Sequence, residues 1–292
     1  MFPIVSIRII FRAISTWSEN GGMRMGAALA YYALFSVAPL MLIVVHATGA
    51  VFGEDAAKGQ VREHLHSIMG KEVAKDVAGE FEKFATKAAK PADTFWTPTI
   101  SALFLLIGAL GAFLHIRGAL CSIWKLDPPK GNTWLGFVWD YVLSLMMVFA
   151  TATMIFISLA FGLVVPALQR TIEQSSIDQE YWHWFEVGWS FAFLTLFFAA
   201  SYRVLSGGRI SWGYVVYGSV IAAVMFTVGK TLLSHYIVYS GTASMYGAAG
   251  SVVVFLMWVY YSSQILFLGA ELIQARRTRY EWLNGETTPA PK

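Results

Sequence analysis

A long uncharged run near the carboxyl end constrains this chain more than any other feature of its sequence. No residue from Gly247 to Ala270 is charged, and the run ends at one acid, Glu271, which a cluster of arginines beginning at Arg276 follows. At about 1.5 Å per residue, a helix of this length crosses the ~30 Å hydrocarbon core of a bilayer. The run therefore predicts a membrane-spanning helix over residues 247–272.

The composition extends this prediction to the whole chain. Hydrophobic residues make up 57% of the sequence, charged residues only 13%, and the mean hydropathy is +0.56, values outside the range of water-soluble domains. The net charge of +3 is small and the basic residues lie in short clusters, so nucleic acid is not an expected partner. The lipid bilayer is the expected partner. The lone Cys121 cannot form an intramolecular disulfide.

Five further apolar segments predict an all-α fold, a bundle of six transmembrane helices. The predicted spans cover about residues 26–52, 95–116, 135–165, 184–205, 212–236 and 247–272. Pro39 lies near the middle of the first span and removes one helical hydrogen bond, which predicts a kink. A tight turn after residue 205 makes the fourth and fifth helices neighbours.

The six-span domain, residues 23–282, carries three additional parts. Residues 1–22 place isoleucines and Phe11 at helical spacing with arginines on the opposite side, the pattern of an amphipathic helix in the membrane interface. Residues 53–94 are rich in charge and predict an inserted domain of amphipathic helices. The polar tail, residues 283–292, is predicted to be disordered.

Lysine and arginine in the short loops predict the orientation of the bundle. The short loops on the side of the two termini hold more of these residues than those on the other side, where most basic residues lie in the long 53–94 segment. Short cytoplasmic loops carry this excess, so both termini are predicted in the cytoplasm and the 53–94 insertion outside it.

Three stretches of the sequence resemble the YihY/BrkB family of bacterial inner-membrane proteins. They are ALAYYALFSVAPL at 28–40, RGALCSIWKL at 117–126, and the long stretch from 212 to 272. The resemblance implies six transmembrane helices, a multi-pass location in the inner (plasma) membrane, and both termini in the cytoplasm. This chain departs from the family pattern at 204–206, where a proline is expected just after the tyrosine that ends the fourth helix.

The family has carried the labels ribonuclease BN and virulence factor, but the sequence offers no enzyme chemistry. The six histidines, at 46, 64, 66, 115, 183 and 235, are scattered over spans and both sides of the membrane. A metal-dependent nuclease needs clustered ligands. We therefore expect no enzyme activity, no catalytic residue, no metal site and no cofactor.

The candidate functional residues are ionisable or polar groups within the predicted spans. A charge near the centre of the bilayer costs at least ~2.5 kcal/mol, so each such residue needs a partner or lines a pathway. The candidates are Glu271, Gln264 and Tyr260 along one face of the sixth span, Arg117, Asp140 and Arg203 at the same depth on other helices, Lys230 toward the opposite end of the fifth span, and Tyr31 and Tyr32 on the first.

These residues favour two functions from different classes. The first is a transporter or flippase-like protein for a small amphiphile or lipid, with a path between the first, fifth and sixth helices. The alternative is a non-catalytic scaffold that binds envelope partners through the 53–94 domain. For Glu271 itself, the competing interpretations are an ion pair with an arginine that only holds helices together and a position among the lipid headgroups. The oligomeric state is left open.

Overall fold

The computed structural model describes residues 7–35, 96–126, 136, 138–151, 153–154, 157, 179–240, 245–246 and 249–283. These residues form seven helices. They are α1 (Ile7–Glu19), α2 (22–35), α3 (Trp96–Ile123), α4 (138–151), α5 (Gln179–Leu205), α6 (Trp212–Ser240) and α7 (Gly250–Leu283). The described part is therefore all-α, as predicted. Pro39, the 53–94 insertion and the tail after residue 283 lie outside the described residues.

Three described helices are long and apolar enough to cross a membrane. The qualifying segments are Val187–Leu205, Trp212–Ile237 and Val252–Glu281, and Gly108–Ile123 and Val138–Thr151 are shorter apolar helices. The helices extend past the predicted spans: α5 begins at Gln179 rather than 184, and α7 continues to Leu283 rather than 272. Hydropathy reports only the apolar part of a helix, whereas backbone hydrogen bonding continues into the polar residues beyond it.

A glycine joins α1 to α2. The Asn20 amide still donates to the Thr16 carbonyl at 2.8 Å, but Gly21 has a φ of +71°. Residues with a side chain rarely adopt this left-handed conformation, which commonly ends helices. The Gly21 carbonyl then accepts the amide of Met25 at 3.1 Å, so α2 starts immediately.

Two glycines close the turn between α5 and α6. Gly207 and Gly208 have φ values of +63° and +74°, and their amides donate to the carbonyls of Val204 and Arg203 at 2.9 and 3.0 Å. These bonds satisfy the last carbonyls of α5. The turn therefore needs no proline after the tyrosine, and it places α5 and α6 side by side.

Small residues bring α6 and α7 close together. A Cβ at Gly218 of α6 would lie 2.3 Å from Ile273 and 3.2 Å from the backbone oxygen of Gly269, both on α7. Further along, a Cβ at Gly229 would lie 1.3 Å from the hydroxyl oxygen of Tyr261. Close backbone approach of this kind is how membrane helices gain contact where water supplies no driving force.

Helix α7 is the centre of the described bundle. It packs against α1, α3 and α6, while α5 contacts α3 and α6. The Trp124 indole, just after α3, donates to the Ala270 carbonyl at 3.0 Å, and the Tyr202 hydroxyl of α5 donates to the Leu266 carbonyl at 2.8 Å. Both side chains are fully buried. Their polar atoms therefore have partners, and they join α3 and α5 to α7 at one level.

Candidate functional site

Helix α1 packs along the carboxyl-terminal part of α7. Ile9 and Ala13 are buried in one cluster with Leu272 and Ala275 of α7. Residues four apart lie on one face of a helix, so the same face carries Thr16, Trp17 and Asn20 further along. The opposite apolar residues, Phe11 and Ile14, are 71% and 45% exposed. Helix α1 thus has one face on α7 and a second apolar face that is open to lipid.

The polar end of α1 covers Glu271. This side chain is 1% exposed, and its two oxygens accept separate hydrogen bonds. The Thr16 hydroxyl donates to Oε2 at 2.9 Å, and the Asn20 amide nitrogen donates to Oε1 at 2.6 Å. Within the described residues, no cation forms an ion pair with Glu271. A buried acid is therefore held by two neutral groups from another helix.

Gln264 continues this polar contact along α7. The Trp17 indole donates to its Oε1 at 3.2 Å, and a Cβ at Gly26 of α2 would lie 1.9 Å from its Nε2. Only a glycine leaves room for the amide there. That Nε2 is buried and has no hydrogen-bond partner among the described residues. We call the set Thr16, Trp17, Asn20, Gln264 and Glu271 the α1–α7 seam.

A second buried charge lies apart from the seam. Arg117 of α3 is 5% exposed, and its Nε and Nη2 lie 2.7 and 2.6 Å from Asp140 Oδ1 of α4. Its Nη1 donates to the Leu205 carbonyl at the end of α5. One guanidinium therefore joins three helices, and it satisfies one of the last carbonyls of α5.

Arg203 is predicted at the same depth as Arg117 and Asp140, but its contacts lie in the turn that follows it. Its Nη1 donates to the Gly208 carbonyl at 2.7 Å and to the Ile210 carbonyl, and its guanidinium lies 5.2 Å from the centre of the Trp212 ring. These contacts stabilise the α5–α6 turn. The structure thus joins Arg117 to Asp140 and places Arg203 in the turn, while the contacts of Glu271 are made with α1.

The other candidates lie outside the seam. Tyr31 is 60% exposed and packs edge-on against Phe35, and the Tyr32 ring lies 5.8 Å from the ring of His115 on α3. Lys230 is half-buried and lies in the later half of α6. Tyr260 is half-buried on α7, one turn before Gln264.

Sequence reasoning missed Thr16, Trp17 and Asn20. The sequence does contain a signal for this contact. Thr16 and Asn20 are four residues apart and lie on the helical face of Ala13, so polar residues follow apolar ones along the same face. Which helix this face meets depends on the tertiary structure.

The seam has the chemistry of hydrogen bonding and proton exchange. It offers one carboxylate, two amides, a hydroxyl and an indole NH. Within the described residues, no group of three or more histidine, cysteine, aspartate or glutamate side chains is arranged to hold a metal ion.

The long apolar helices and the buried polar seam define a helical integral membrane protein. The chain belongs to the family described as virulence factor BrkB, whose pattern matches residues 13–291. This agrees with the resemblance to the YihY/BrkB family.

Three relatives are named as UPF0761 membrane proteins. That of Alcanivorax borkumensis is 23% identical over 286 residues, covering 94% of this chain and 63% of the relative. The Haemophilus influenzae protein is 22% identical over 260 residues, which cover 88% of this chain and 90% of the relative. A Pseudomonas aeruginosa protein is 24% identical over 255 residues, which cover 85% of this chain and 57% of the relative. This chain thus spans less than two thirds of the first and third relatives. No solved structure matches the chain.

Proposed function

We propose that this protein moves a small amphiphile or lipid across or within the membrane, and that the α1–α7 seam is part of the path. The observation that carries the proposal is Glu271, which is 1% exposed and whose hydrogen bonds within the described residues come from neutral groups. An acid within a membrane helix is costly and marks substrate or ion pathways.

The neighbouring Gln264 supports the same function. Its buried Nε2 is a hydrogen-bond donor without a partner in the described part of the chain, and it lies beside the close α2 contact at Gly26. Buried donors are nearly always satisfied. A polar headgroup that enters the seam would be an acceptor for this amide. The role we propose is non-catalytic, because the seam offers hydrogen bonds and a proton site rather than an activated nucleophile.

Reconstituted vesicles test this function. We would place the purified protein in vesicles of phosphatidylethanolamine and phosphatidylglycerol with a trace of fluorescent phospholipid, and follow its exchange between leaflets by chemical quenching from outside. Glu271→Gln removes a charge-assisted contact and should slow lipid movement about tenfold or more. The matched control is Glu281→Gln, on the same helix, which removes only the half-exposed pair with Arg277.

Two results would count against the proposal. Equal rates for the wild type and Glu271→Gln, at equal protein content, would remove Glu271 from the mechanism. Wild-type vesicles no faster than protein-free vesicles would exclude these phospholipids as substrates. In the second case, loss of partner capture on deletion of residues 53–94 would favour the scaffold alternative.

We also propose the full topology: six spans in the bacterial inner membrane, both termini in the cytoplasm, and the 53–94 insertion outside it. The support is the excess of lysine and arginine in the short loops. A green fluorescent protein fused after Lys292 should fluoresce, and alkaline phosphatase fused there should be inactive. The same fusions placed within 53–94 should behave oppositely. An active phosphatase after Lys292 would overturn this topology.

A further inference from the structure

We infer that Glu271 is a reversible proton-binding site and that helix α1 responds to its occupancy. The inference deepens the proposed transport function, on which it rests for its biological use, by naming the proton as the ion coupled to movement. The binding of the proton itself does not depend on transport. The argument starts from the two groups that contact the carboxylate.

The groups that contact Glu271 can form hydrogen bonds with both its ionised and its protonated carboxyl. The Thr16 hydroxyl has one hydrogen but three acceptors in reach: Glu271 Oε2 at 2.9 Å, the Arg12 carbonyl at 2.9 Å and the Ala13 carbonyl at 3.2 Å. When Oε2 is ionised, the hydroxyl donates to it. When a proton adds to Oε2, the hydroxyl turns to the Arg12 carbonyl and accepts the new O–H with a lone pair. No covalent bond other than the new O–H forms or breaks.

The second contact is compatible with both states as well. The Asn20 amide nitrogen donates to Oε1 at 2.6 Å, and Oε1 remains an acceptor when Oε2 carries the proton. Both states therefore keep two hydrogen bonds. Asp140 is a contrast within the same chain, because its Oδ1 lies 2.6 Å from the permanently charged Arg117.

The charged groups near the site are few. From the packed elements, Glu19 of α1 and Lys125, in the turn after α3, act on Glu271, and their charges have opposite signs. Two arginines of α7 itself have other contacts. The Arg276 guanidinium lies 3.8 Å from the centre of the Tyr217 ring, and Arg277 pairs with Glu281 at 2.8 Å.

Proton binding would change the docking of α1. The Thr16 donor lies in α1 and the Asn20 donor directly follows its end, and hydrogen bonds to an ionised carboxylate are stronger than those to a neutral one. The apolar contact of Ile9 and Ala13 with α7 does not depend on the charge of Glu271. A proton therefore loosens the polar end of α1 while its apolar end stays attached, which exposes the seam.

Infrared spectroscopy of the protein in lipid nanodiscs tests the site. A pH titration should show a protonated-carboxyl C=O band that appears as the pH falls. The band should be lost in Glu271→Gln and kept in Glu281→Gln. Thr16→Val, which keeps the shape but lacks the hydroxyl, should move the midpoint by about one pH unit, while Thr16→Ser should leave it in place.

Hydrogen exchange tests the response of α1. After correction for intrinsic rates, amides of residues 7–20 should exchange faster in the wild type at acid pH and show no pH dependence in Glu271→Gln. Identical titration of the protonated-carboxyl C=O region in the wild type and in Glu271→Gln overturns the proton site. If the carboxyl band behaves as expected but the amide exchange of α1 does not depend on pH, the coupling between proton binding and α1 is overturned. If the infrared band and the exchange of α1 both behave as expected but the vesicles show no lipid movement, only the proposed transport is refuted.

Discussion

Within the described residues, Arg117 and Glu271 are buried charged side chains with different partners. Arg117 contacts a carboxylate and a backbone carbonyl, so its charge is paired in a fixed geometry. Glu271 accepts hydrogen bonds from a hydroxyl and an amide and forms no ion pair with a described residue. Removing the counterion of a buried charge is costly, whereas pairs near the surface contribute little. The two acids are therefore expected to respond differently to neutralisation.

Asp140→Asn tests the fixed pair. It leaves the guanidinium of Arg117, which is 5% exposed, without a counterion, and should lower the free energy of unfolding by about 2–3 kcal/mol. The Asp140 side chain is 44% exposed, which keeps this figure below the full cost of breaking a buried pair. Denaturation by graded SDS in mixed micelles measures the change. Glu281→Gln is the control, with an expected loss under ~0.5 kcal/mol; equal losses in both variants would contradict the account.

At the scale of helices, packing depends on where glycine lies. Helices α6 and α7 approach closely because Gly218 and Gly229 of α6 face bulky side chains of α7. Other glycines of the same bundle face open space: a Cβ at Gly213 or Gly118 would meet no atom within 4 Å. The contact, rather than the residue type, therefore decides whether a glycine is needed.

Gly218→Ala and Gly213→Ala form a matched pair on α6. In Gly218→Ala, the new methyl meets Ile273 and the backbone oxygen of Gly269, so we expect a loss of about 1–3 kcal/mol from overpacking. In Gly213→Ala the methyl is unopposed, and the better helix propensity of alanine should keep or raise stability. Thermal unfolding in detergent compares the two. A Gly218→Ala protein as stable as the wild type would show that α7 can move away without cost.

At the scale of the whole molecule, one face of α6 remains uncovered. Residues four apart on this face, which include Val216, Val220, Val224, Val228 and Leu232, are between 37% and 66% exposed. Apolar residues on one helical face are expected to contact lipid acyl chains in a membrane protein. The described bundle therefore exposes apolar side chains along this face of α6 as well as burying them in its core.

Val224→Arg tests the lipid contact. A charge at the centre of a spanning helix costs about 2.5–3.5 kcal/mol for insertion, so the yield of monodisperse protein should fall strongly. Tyr239→Arg is the control, because this residue is 85% exposed but lies at the end of α6, where a long side chain reaches the interface. Size-exclusion chromatography of a fluorescent fusion measures both yields. Equal yields would show that the α6 face is not at the bilayer centre.

The sequence by itself determined the class of protein, and the last three predicted spans overlap the three long apolar helices of the described residues. These properties depend on local composition: an uncharged run either reaches across a bilayer or does not. It also identified Glu271, because an acid in such a run is conspicuous in any fold.

Only the tertiary structure decided what each polar group contacts. Arg117, Asp140 and Arg203 lie at similar depths in the sequence prediction, yet Arg117 joins Asp140 and Arg203 binds its own turn. Glu271 binds Thr16 and Asn20, some 250 residues earlier in the chain. Depth follows from distance along one helix, whereas a partner depends on how helices are rotated and packed, which small residues and the close fit of side chains determine.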